Sequence, residues 1–409
     1  MTKKDEKPKR VEKHLIRSSS PYFKMLAEFC HLAKNLYNHA NYIIRQEFIN
    51  TGKYISYSAL DKILKADTEY PDYRAMPTAQ SAQQVLRLLD ENWKSFFKAI
   101  KDWKIHPEKY LGRPKLPKYL KKNGQFVLPL TNQESRLVED TIHFPRAFEK
   151  LTVKTKFTEK QFEKFCQARF VPTGTDIMLE LVYEVPKIPP KESNGRYAGI
   201  DLGVNNLAAF VTNTANAPLL ISGRPLKSVN QFYNKQIARM QRKCPRYYSR
   251  QMRLITSKRN RRVEDYLHKA SKLIVEECAK RDVSVIVIGQ NKNWKQNIDL
   301  SKRVNQTFVQ IPFSRLIQMI KYKAETKGIT VLLTEESYTS GTSFWDGEKP
   351  TKDNYKNQRR VHRGLFIAND GTKVNADVNG AFQIMKKVVP NGFSLWDRGC
   401  ALQPVLRRT

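Results

Sequence analysis

The stretch Tyr197-Ala-Gly-Ile-Asp-Leu-Gly-Val-Asn-Asn-Leu-Ala-Ala-Phe-Val211 decides how the second half of this chain folds. Tyr197 to Asp201 and Leu207 to Val211 are apolar runs on either side of Leu-Gly-Val-Asn, the pattern of two adjacent antiparallel strands, and Leu219 to Ile221 reads as a third. Asp201 closes the first run. Its small neighbours leave room for a metal ion and a phosphate to approach the backbone, although an Asp at a strand-to-turn junction is more often a turn former. Downstream, Pro225 to Lys280 is long, basic and helical in pattern. It leads to a buried strand Ser284 to Ile288, a helix from Pro312 to Lys327, a strand Thr330 to Thr334 and a last helix from Ala376 onward. This order predicts a mixed α/β sheet, with three antiparallel strands followed twice by a helix and a parallel strand. Asp377 opens the last helix, where a carboxylate also serves as a cap.

Working back toward the N-terminus, Pro186-Lys-Ile-Pro-Pro-Lys-Glu-Ser-Asn-Gly195 reads as a linker. Before it, Phe23, Leu26, Cys30, Ala33, Tyr37, Ala40, Ile44 and Phe48 recur every three or four residues, an amphipathic helix of about 27 residues starting near Tyr22. Ala82, Leu86, Leu89, Trp93, Phe97 and Ile100 repeat the pattern, with Pro77 as an early helical residue. Short alternating segments, Phe126 to Leu130, Leu151 to Phe157, Ala168 to Pro172 and Asp176 to Val185, predict a small antiparallel β-barrel, and His14 to Arg17 begins a short strand. The basic stretch Gly112-Arg-Pro-Lys-Leu-Pro-Lys-Tyr-Leu-Lys-Lys122 offers Arg113, Lys115 and Lys118 to phosphates, or is a solvated loop. The expected fold class is α+β multidomain: 1–21 a basic tail and first strand, 22–110 a helical domain, 111–190 the β-barrel, and 191–409 an α/β domain with a basic insertion at about 338–373.

Charge narrows the function. The chain carries 73 Lys+Arg against 39 Asp+Glu, a net +34, and self-repulsion of that size is tolerated when a polyanion neutralises it. The cations are spread through 409 periodic, aromatic-containing residues, unlike those of a short ribosomal or nucleoid protein with a basic tail. No apolar run approaches the ~18 residues of a membrane span, and MTKKDEKPKRVEK has no signal-peptide core, so a cytoplasmic protein with no membrane partner is expected. Cys30, Cys166, Cys244, Cys278 and Cys400 lie far apart without a C-x-x-C pair, and no H-x-x-x-H pair occurs. Reduced structural thiols are expected, and any metal belongs on carboxylates.

Two phrases then carry a resemblance. Ile200-Asp-Leu-Gly-Val-Asn-Asn-Leu207 on the first strand and Ala376-Asp-Val-Asn-Gly-Ala381 on the last helix resemble the first and third RuvC motifs of TnpB proteins. Ile286-Val-Ile-Gly-Gln-Asn-Lys-Asn-Trp-Lys-Gln296, Gln306 to Pro312, Glu335-Glu-Ser-Tyr-Thr-Ser340 and Arg359-Arg-Val-His-Arg-Gly-Leu365 are similar to that family's later half. The resemblance covers roughly Tyr197 to Val388 and is looser before the linker. It implies that 22–110 is a helical recognition bundle, 111–190 a wedge domain, and 191–409 an RNase-H-like (RuvC) nuclease domain. A TnpB-like protein, of the family ancestral to type V CRISPR effectors, would hold one structured guide RNA per protein. It would inspect a short motif beside the target and cut the unwound double-stranded DNA. In such a complex base pairing reads sequence while the protein recognises heteroduplex geometry, which suits a broadly basic chain. Cutting would use two Mg2+ ions held by carboxylates.

The chain departs from that pattern in two places. Where most relatives have a Glu just after the fourth strand, this one has Gln290, and a neutral amide is a poor magnesium ligand. Either cutting is lost, or the acid has moved to Glu335 or Glu336 at the end of the next parallel strand. Strand alternation sends these two to opposite faces. The expected catalytic and metal-holding set is Asp201, Glu336 and Asp377, with Glu335 second, and two solvated acids at a strand end are the plain alternative. Thr339-Ser-Gly-Thr-Ser-Phe-Trp-Asp346 stands where many relatives carry zinc-finger cysteines, so no zinc is expected. Lys295, Arg359, Arg360 and Arg363 are candidates for nucleic-acid contact beside the site, Arg363 either at the scissile phosphate or on ordinary backbone. Gln80, Gln83 and Gln84 are candidates for reading the target-adjacent motif, because amides make paired contacts with base edges. A guided DNA-binding protein without cleavage, and an unguided nuclease or strand-transferring transposase, remain the rival readings.

Overall fold

A computed structural model describes residues 7–157, 162–245, 248–291, 309–362, 364–394 and 396–408. They belong to two compact units, Met1–Lys187 and Ile188–Thr409. None of the described helices is long and apolar enough to cross a membrane.

The first unit runs β1 (Lys9–Ile16), α1 (Phe23–Thr51), α2 (Tyr57–Ala66), α3 (Ala79–Ile105), β2 (Leu128–Thr131), β3 (Arg136–Val138), β4 (Thr141–His143), β5 (Thr152–Lys154), β6 (Lys164–Pro172) and β7 (Ile177–Glu184). The periodic apolar residues of α1 become its buried stripe, and the helix stops at Gly52, whose φ of 72° lets its N–H close on the Phe48 carbonyl. α3 begins earlier than its periodicity: Thr78 caps it and Ser81 reciprocates, so Pro77 lies outside the helix rather than within its first turn. Trp93 joins the two helices, packed among Phe48, Tyr54, Phe96 and Phe97 with its indole N–H donating to Asn41 Oδ1 at 3.0 Å. α2, unanticipated from sequence, is a ten-residue helix capped by Ser56 that buries only Leu60 and Leu64.

The strands of this unit form a four-stranded sheet in the order β1-β7-β6-β2 and a three-stranded sheet β3-β4-β5. The expected barrel is thus seen as two sheets, each open at its edges among the described residues. β1 is longer than expected and pairs along its whole length with β7, from Lys9 opposite Glu184 to Ile16 opposite Ile177. Three-residue strands such as β3 and β4 are too short to show a period, which is why the sequence did not reveal them.

The second unit runs β8 (Tyr197–Asp201), β9 (Asn206–Thr212), β10 (Leu219–Ser222), α4 (Arg224–Lys243), α5 (Arg250–Lys280), β11 (Val285–Gly289), α6 (Phe313–Glu325), β12 (Thr330–Thr334), β13 (Leu365–Ile367), β14 (Lys373–Asn375), α7 (Ala376–Val388), α8 (Arg398–Ala401) and β15 (Val405–Arg407). The single basic helix expected over Pro225 to Lys280 is two helices. Cys244, pushed out of helical geometry by Pro245, ends α4, and Ser249 caps α5 by accepting from the Met252 N–H. The six-stranded sheet has the order β12-β11-β8-β9-β10-β15. β8, β9 and β10 are successively antiparallel, while β11 and β12 run parallel to β8. β15, parallel to β10, was not foreseen.

Alternation along β8 sorts its residues onto two faces. Ala198 and Ile200 enter the core shared with α5 and α6, whereas Gly199 faces α7. A Cβ on Gly199 would lie 2.4 Å from the Ala381 carbonyl oxygen, so the helix can approach this closely only over glycine. Asp201, two residues on, shares that face. Gly199→Ala is therefore expected to destabilise the full chain by ~1–3 kcal/mol. Gly112→Ala, where an added Cβ meets nothing within 4 Å, should leave the midpoint unchanged. Thermal unfolding followed by circular dichroism checks the pair.

Candidate active site

Three acids from separate segments meet where α7 crosses the sheet. Asp201 is carried at the end of β8, and the first turns of α7 pass over it: a Cβ on Gly380 would lie 2.7 Å from Asp201 Oδ2. Asp377 stands in the first turn of α7, whose start is fixed by Asn375, with Oδ1 accepting from the Asp377 and Val378 N–H groups at 3.0 and 3.2 Å. Asn206, opening β9, donates to Asp377 Oδ2 at 2.8 Å, and Arg360 approaches Oδ1 at 3.4 Å. Glu336 follows β12 and leans back across β11, where Gly289 offers no side chain to stop it. A Cβ at 289 would sit 2.5 Å from Glu336 Cγ and 2.6 Å from its Oε1. Glu335 is exposed and accepts from the Ser337 hydroxyl at 2.6 Å. Of the two neighbours, Glu336 is the one turned toward Asp201. Gln290 is half-buried and its backbone N–H donates to the Thr334 carbonyl at 2.8 Å.

The electrostatics follow from this crowding. Burial, and then the charges of Glu336 and Asp377, hold the Asp201 carboxyl well above its usual range, with Arg360 opposing. Burial pushes Glu336 up to about 7 against the pull of Lys387. Glu336 Oε1 is buried without a hydrogen-bond partner. Among the described residues, no three His, Cys, Asp or Glu side chains stand close enough together to hold a metal ion as they are placed. The donor set nevertheless fits magnesium, which takes hard carboxylate oxygens and leaves other positions to water and phosphate. An orphaned carboxylate oxygen and two destabilised acid charges are what a divalent cation would relieve.

The other candidates are distributed as follows. Arg359 points inward, its side chain only 10% exposed, against Glu348 at 2.7 Å and Asp346 at 3.6 Å. It braces the 338–373 insertion instead of offering its charge to nucleic acid, because two acids flank the same turn. Arg360 remains partly exposed beside Asp377. Arg113, Lys115 and Lys118 are exposed on a strap whose backbone is held by α1: Asn41 and Arg45 donate to the Pro117 carbonyl, Asn38 exchanges two bonds with Leu120, and Lys34 donates to the Lys122 carbonyl. Gln80 donates to Gln133 and accepts from Thr131, while Gln83 and Gln84 are half-buried on α3. Lys295 and Arg363 lie outside the described residues.

One feature in plain view in the sequence was missed. Between Asp201 and Glu264 there is no Asp or Glu and there are thirteen Lys or Arg. These concentrate on α4 and the first half of α5, which Arg259 ties together by donating to Asn230 Oδ1 and to the Gln310 carbonyl while lying over the Tyr233 ring. Lys235, Arg239, Arg242, Arg253 and Lys258 are exposed there. Counting acids along the chain, and not only cations, would have found this hairpin.

Fold and site together define a mixed α/β domain with a buried acid cluster and a strongly basic helical hairpin. Residues 180–295 match the OrfB_IS605 family model, described as "Probable transposase", and residues 313–384 match the "Cas12f1-like, TNB domain" model. The chain is 27% identical over 320 residues to the CRISPR-associated endodeoxyribonuclease Cas12f2 of Micrarchaeota archaeon (strain CG1_02_47_40), covering 74% of this chain and 54% of that protein. It therefore spans about half the length of that relative. It is 23% identical over 402 residues to the TnpB-like protein ORF457 of Acidianus two-tailed virus, covering 89% of this chain and 83% of that one. A cryo-EM structure of a Cas12f1–sgRNA–target DNA complex is similar at 16% identity and a TM-score of 0.38, over 92% of this chain and 98% of that chain. Together these family models and relatives support the TnpB family for this chain.

The buried acids have a pH signature. An acid whose folded-state pKa is raised contributes stability below its ordinary range and loses it as pH rises through the folded value. In chelator, the wild type should therefore lose stability relative to Glu336→Gln between about pH 5 and pH 8, by on the order of 2–3 kcal/mol. Denaturant midpoints of the two proteins across that range measure it, and a constant difference would show that Glu336 is not held protonated.

Proposed function

We propose that this chain is a transposon-associated, RNA-guided DNA endonuclease whose second unit is an RNase-H-like (RuvC) nuclease domain working with magnesium. The observation that carries the reading is the convergence of Asp201, Glu336 and Asp377 with the buried Glu336 Oε1 left unpartnered. Asp201 lies 135 positions before Glu336, and Glu336 lies 41 before Asp377, so nothing local in the sequence draws these three acids together, and a bound cation would account for their proximity. Two bound Mg2+ ions would supply Lewis-acid stabilisation and an activated water for in-line displacement at a phosphodiester. The chain's own residues do the rest. Asp201, Glu336 and Asp377 present the oxygens. Asn206 fixes one oxygen of Asp377 and so orients the other. Arg360, partly exposed beside Asp377, is placed to meet an incoming phosphate.

The partners follow from charge. The net +34, the acid-free run of α4 and the first half of α5, and the exposed cations of the 113–118 strap suit a guide RNA paired to one strand of a double-stranded DNA target, with one protein for each guide. The relatives named as a CRISPR-associated endodeoxyribonuclease and a TnpB-like protein support this. Gln80, Gln83 and Gln84, on a helix start beside the β2 turn, are our candidates for inspecting the target-adjacent motif. A second reading is favoured by Gln290: the chain binds guided targets without cutting them, as a repressor would.

Cleavage of a guide-matched plasmid library in magnesium separates the two. Asp201→Ala and Glu336→Ala should each lower cutting by on the order of 10²-fold or more. Glu335→Ala should stay within a few-fold of wild type, and Gln290→Glu should change little. A protein that binds the target and never cuts, yet cuts once Gln290→Glu is made, is a guided binder and the acid has not moved.

A further inference from the structure

Nothing in the local sequence around Glu336 accounts for where its carboxylate lies. It is in a loop two residues past β12, and Glu335, its neighbour in that loop, is exposed. Yet the Glu336 backbone is pinned on every side. Its N–H donates to Asn291 Oδ1 at 2.9 Å. Its carbonyl accepts from the Thr339 N–H at 3.2 Å and hydroxyl at 2.8 Å. The carbonyls on either side of it, Glu335 O at 3.0 Å and Ser337 O at 2.6 Å, both accept from Lys387 Nζ in the last turn of α7. A lysine at a helix C-terminus ordinarily serves the helix's own last carbonyls. This one sends its donors to another segment and straddles the acid.

We propose that Lys387 and Asn291 are positioning residues that seat Glu336 over Gly289, so that its carboxylate reaches the Asp201 site in place of an acid at position 290. This rests on reading Glu336 as a metal-holding acid. Lys387 is suited because an ammonium has three donors and no acceptor, so it can bridge two carbonyls without competing for the carboxylate's place. Asn291 is the residue next to Gln290. The position after the expected acid thus supplies the clamp that holds the displaced one. Gly289 completes the seat, since any Cβ there would occupy the space of Glu336 Cγ. α7 then does two jobs with adjacent lysines: Lys386 donates to the Gly347 and Glu348 carbonyls of the insertion, and Lys387 to the Glu336 loop.

The test measures Mn2+ binding to the full chain by water-proton relaxation, beside magnesium-dependent cleavage, in Lys387→Met, Lys387→Arg and Asn291→Ala. Loss of residues that orient metal ligands typically costs 10–100-fold in affinity. Lys387→Met is expected to weaken Mn2+ binding ~10–100-fold, with most of the cleavage rate recovered at saturating metal. Lys387→Arg should keep binding within a few-fold. The sign discriminates: a lysine acting only as a nearby positive charge would, when removed, tighten Mn2+ binding. Unchanged or tighter binding in Lys387→Met, with Asp201→Ala and Glu336→Ala both binding poorly, overturns the positioning role and leaves the metal-holding reading intact. If Asp201→Ala and Glu336→Ala bind Mn2+ as the wild type does, the parent reading itself fails. Should Lys387→Met not fold, Asn291→Ala decides: weakened binding with an unchanged melting temperature supports the seat, and wild-type binding overturns it.

Discussion

The closeness of α7 to the sheet is the constraint on which the rest of the second unit depends. An ordinary helix-on-sheet contact leaves space for side chains between the layers. Here Gly199 lies under the Ala381 carbonyl, Gly289 under Ile384 and Glu336, and Gly380 over the Asp201 carboxylate. Removing the side-chain layer at these points brings the start of α7, and with it Asp377, down to the end of β8. It also opens the gap over β11 through which Glu336 reaches. Larger side chains at these positions would restore a better-filled interior and abolish the acid cluster.

That cluster is a conflict the fold does not resolve with protein groups. Asp201 and Glu336 are buried strongly enough to be driven toward their neutral forms, and the cations nearest to them are otherwise engaged. Arg360 is partly solvated at Asp377, and Lys387 holds backbone carbonyls. Unfavourable charge burial concentrated at one spot is what the proposed cation site needs and what an internal ion pair would lack. The contrast with Arg359 is instructive. Its partners Asp346 and Glu348 satisfy it fully, and the result is a brace.

The first unit works on a different principle. Its basic strap has no regular secondary structure of its own, and its backbone carbonyls are taken up by polar side chains along one face of α1. Buried main-chain groups need partners, and α1 supplies them from Lys34, Asn38, Asn41 and Arg45. The strap's cations are thereby left outward, presented from a fixed track and not from a loose loop. On α4 and α5 the same end is reached through Arg259, which joins the helices so that the exposed cations around it keep their spacing.

The sequence by itself determined the elements whose residues carry their own signal: the long amphipathic helices, the succession and senses of the first five strands of the mixed sheet, the basic balance, and Asp201 and Asp377 at the ends of elements that a local pattern could locate. It also exposed the anomaly at Gln290. Short strands such as β3 and β4 and the small helix α2 were illegible because three to ten residues do not establish a period against noise. Pro245 was read through when its restriction on Cys244 should have divided the helix. What only the tertiary structure decided is which of two adjacent glutamates faces Asp201, that Arg359 is turned inward, and that Lys387 and Asn291 hold Glu336. Each of these depends on distances between segments far apart in the chain. A sequence fixes local periodicity and end signals, but the close approach of α7 to the sheet, which sets those distances, is a property of packing alone.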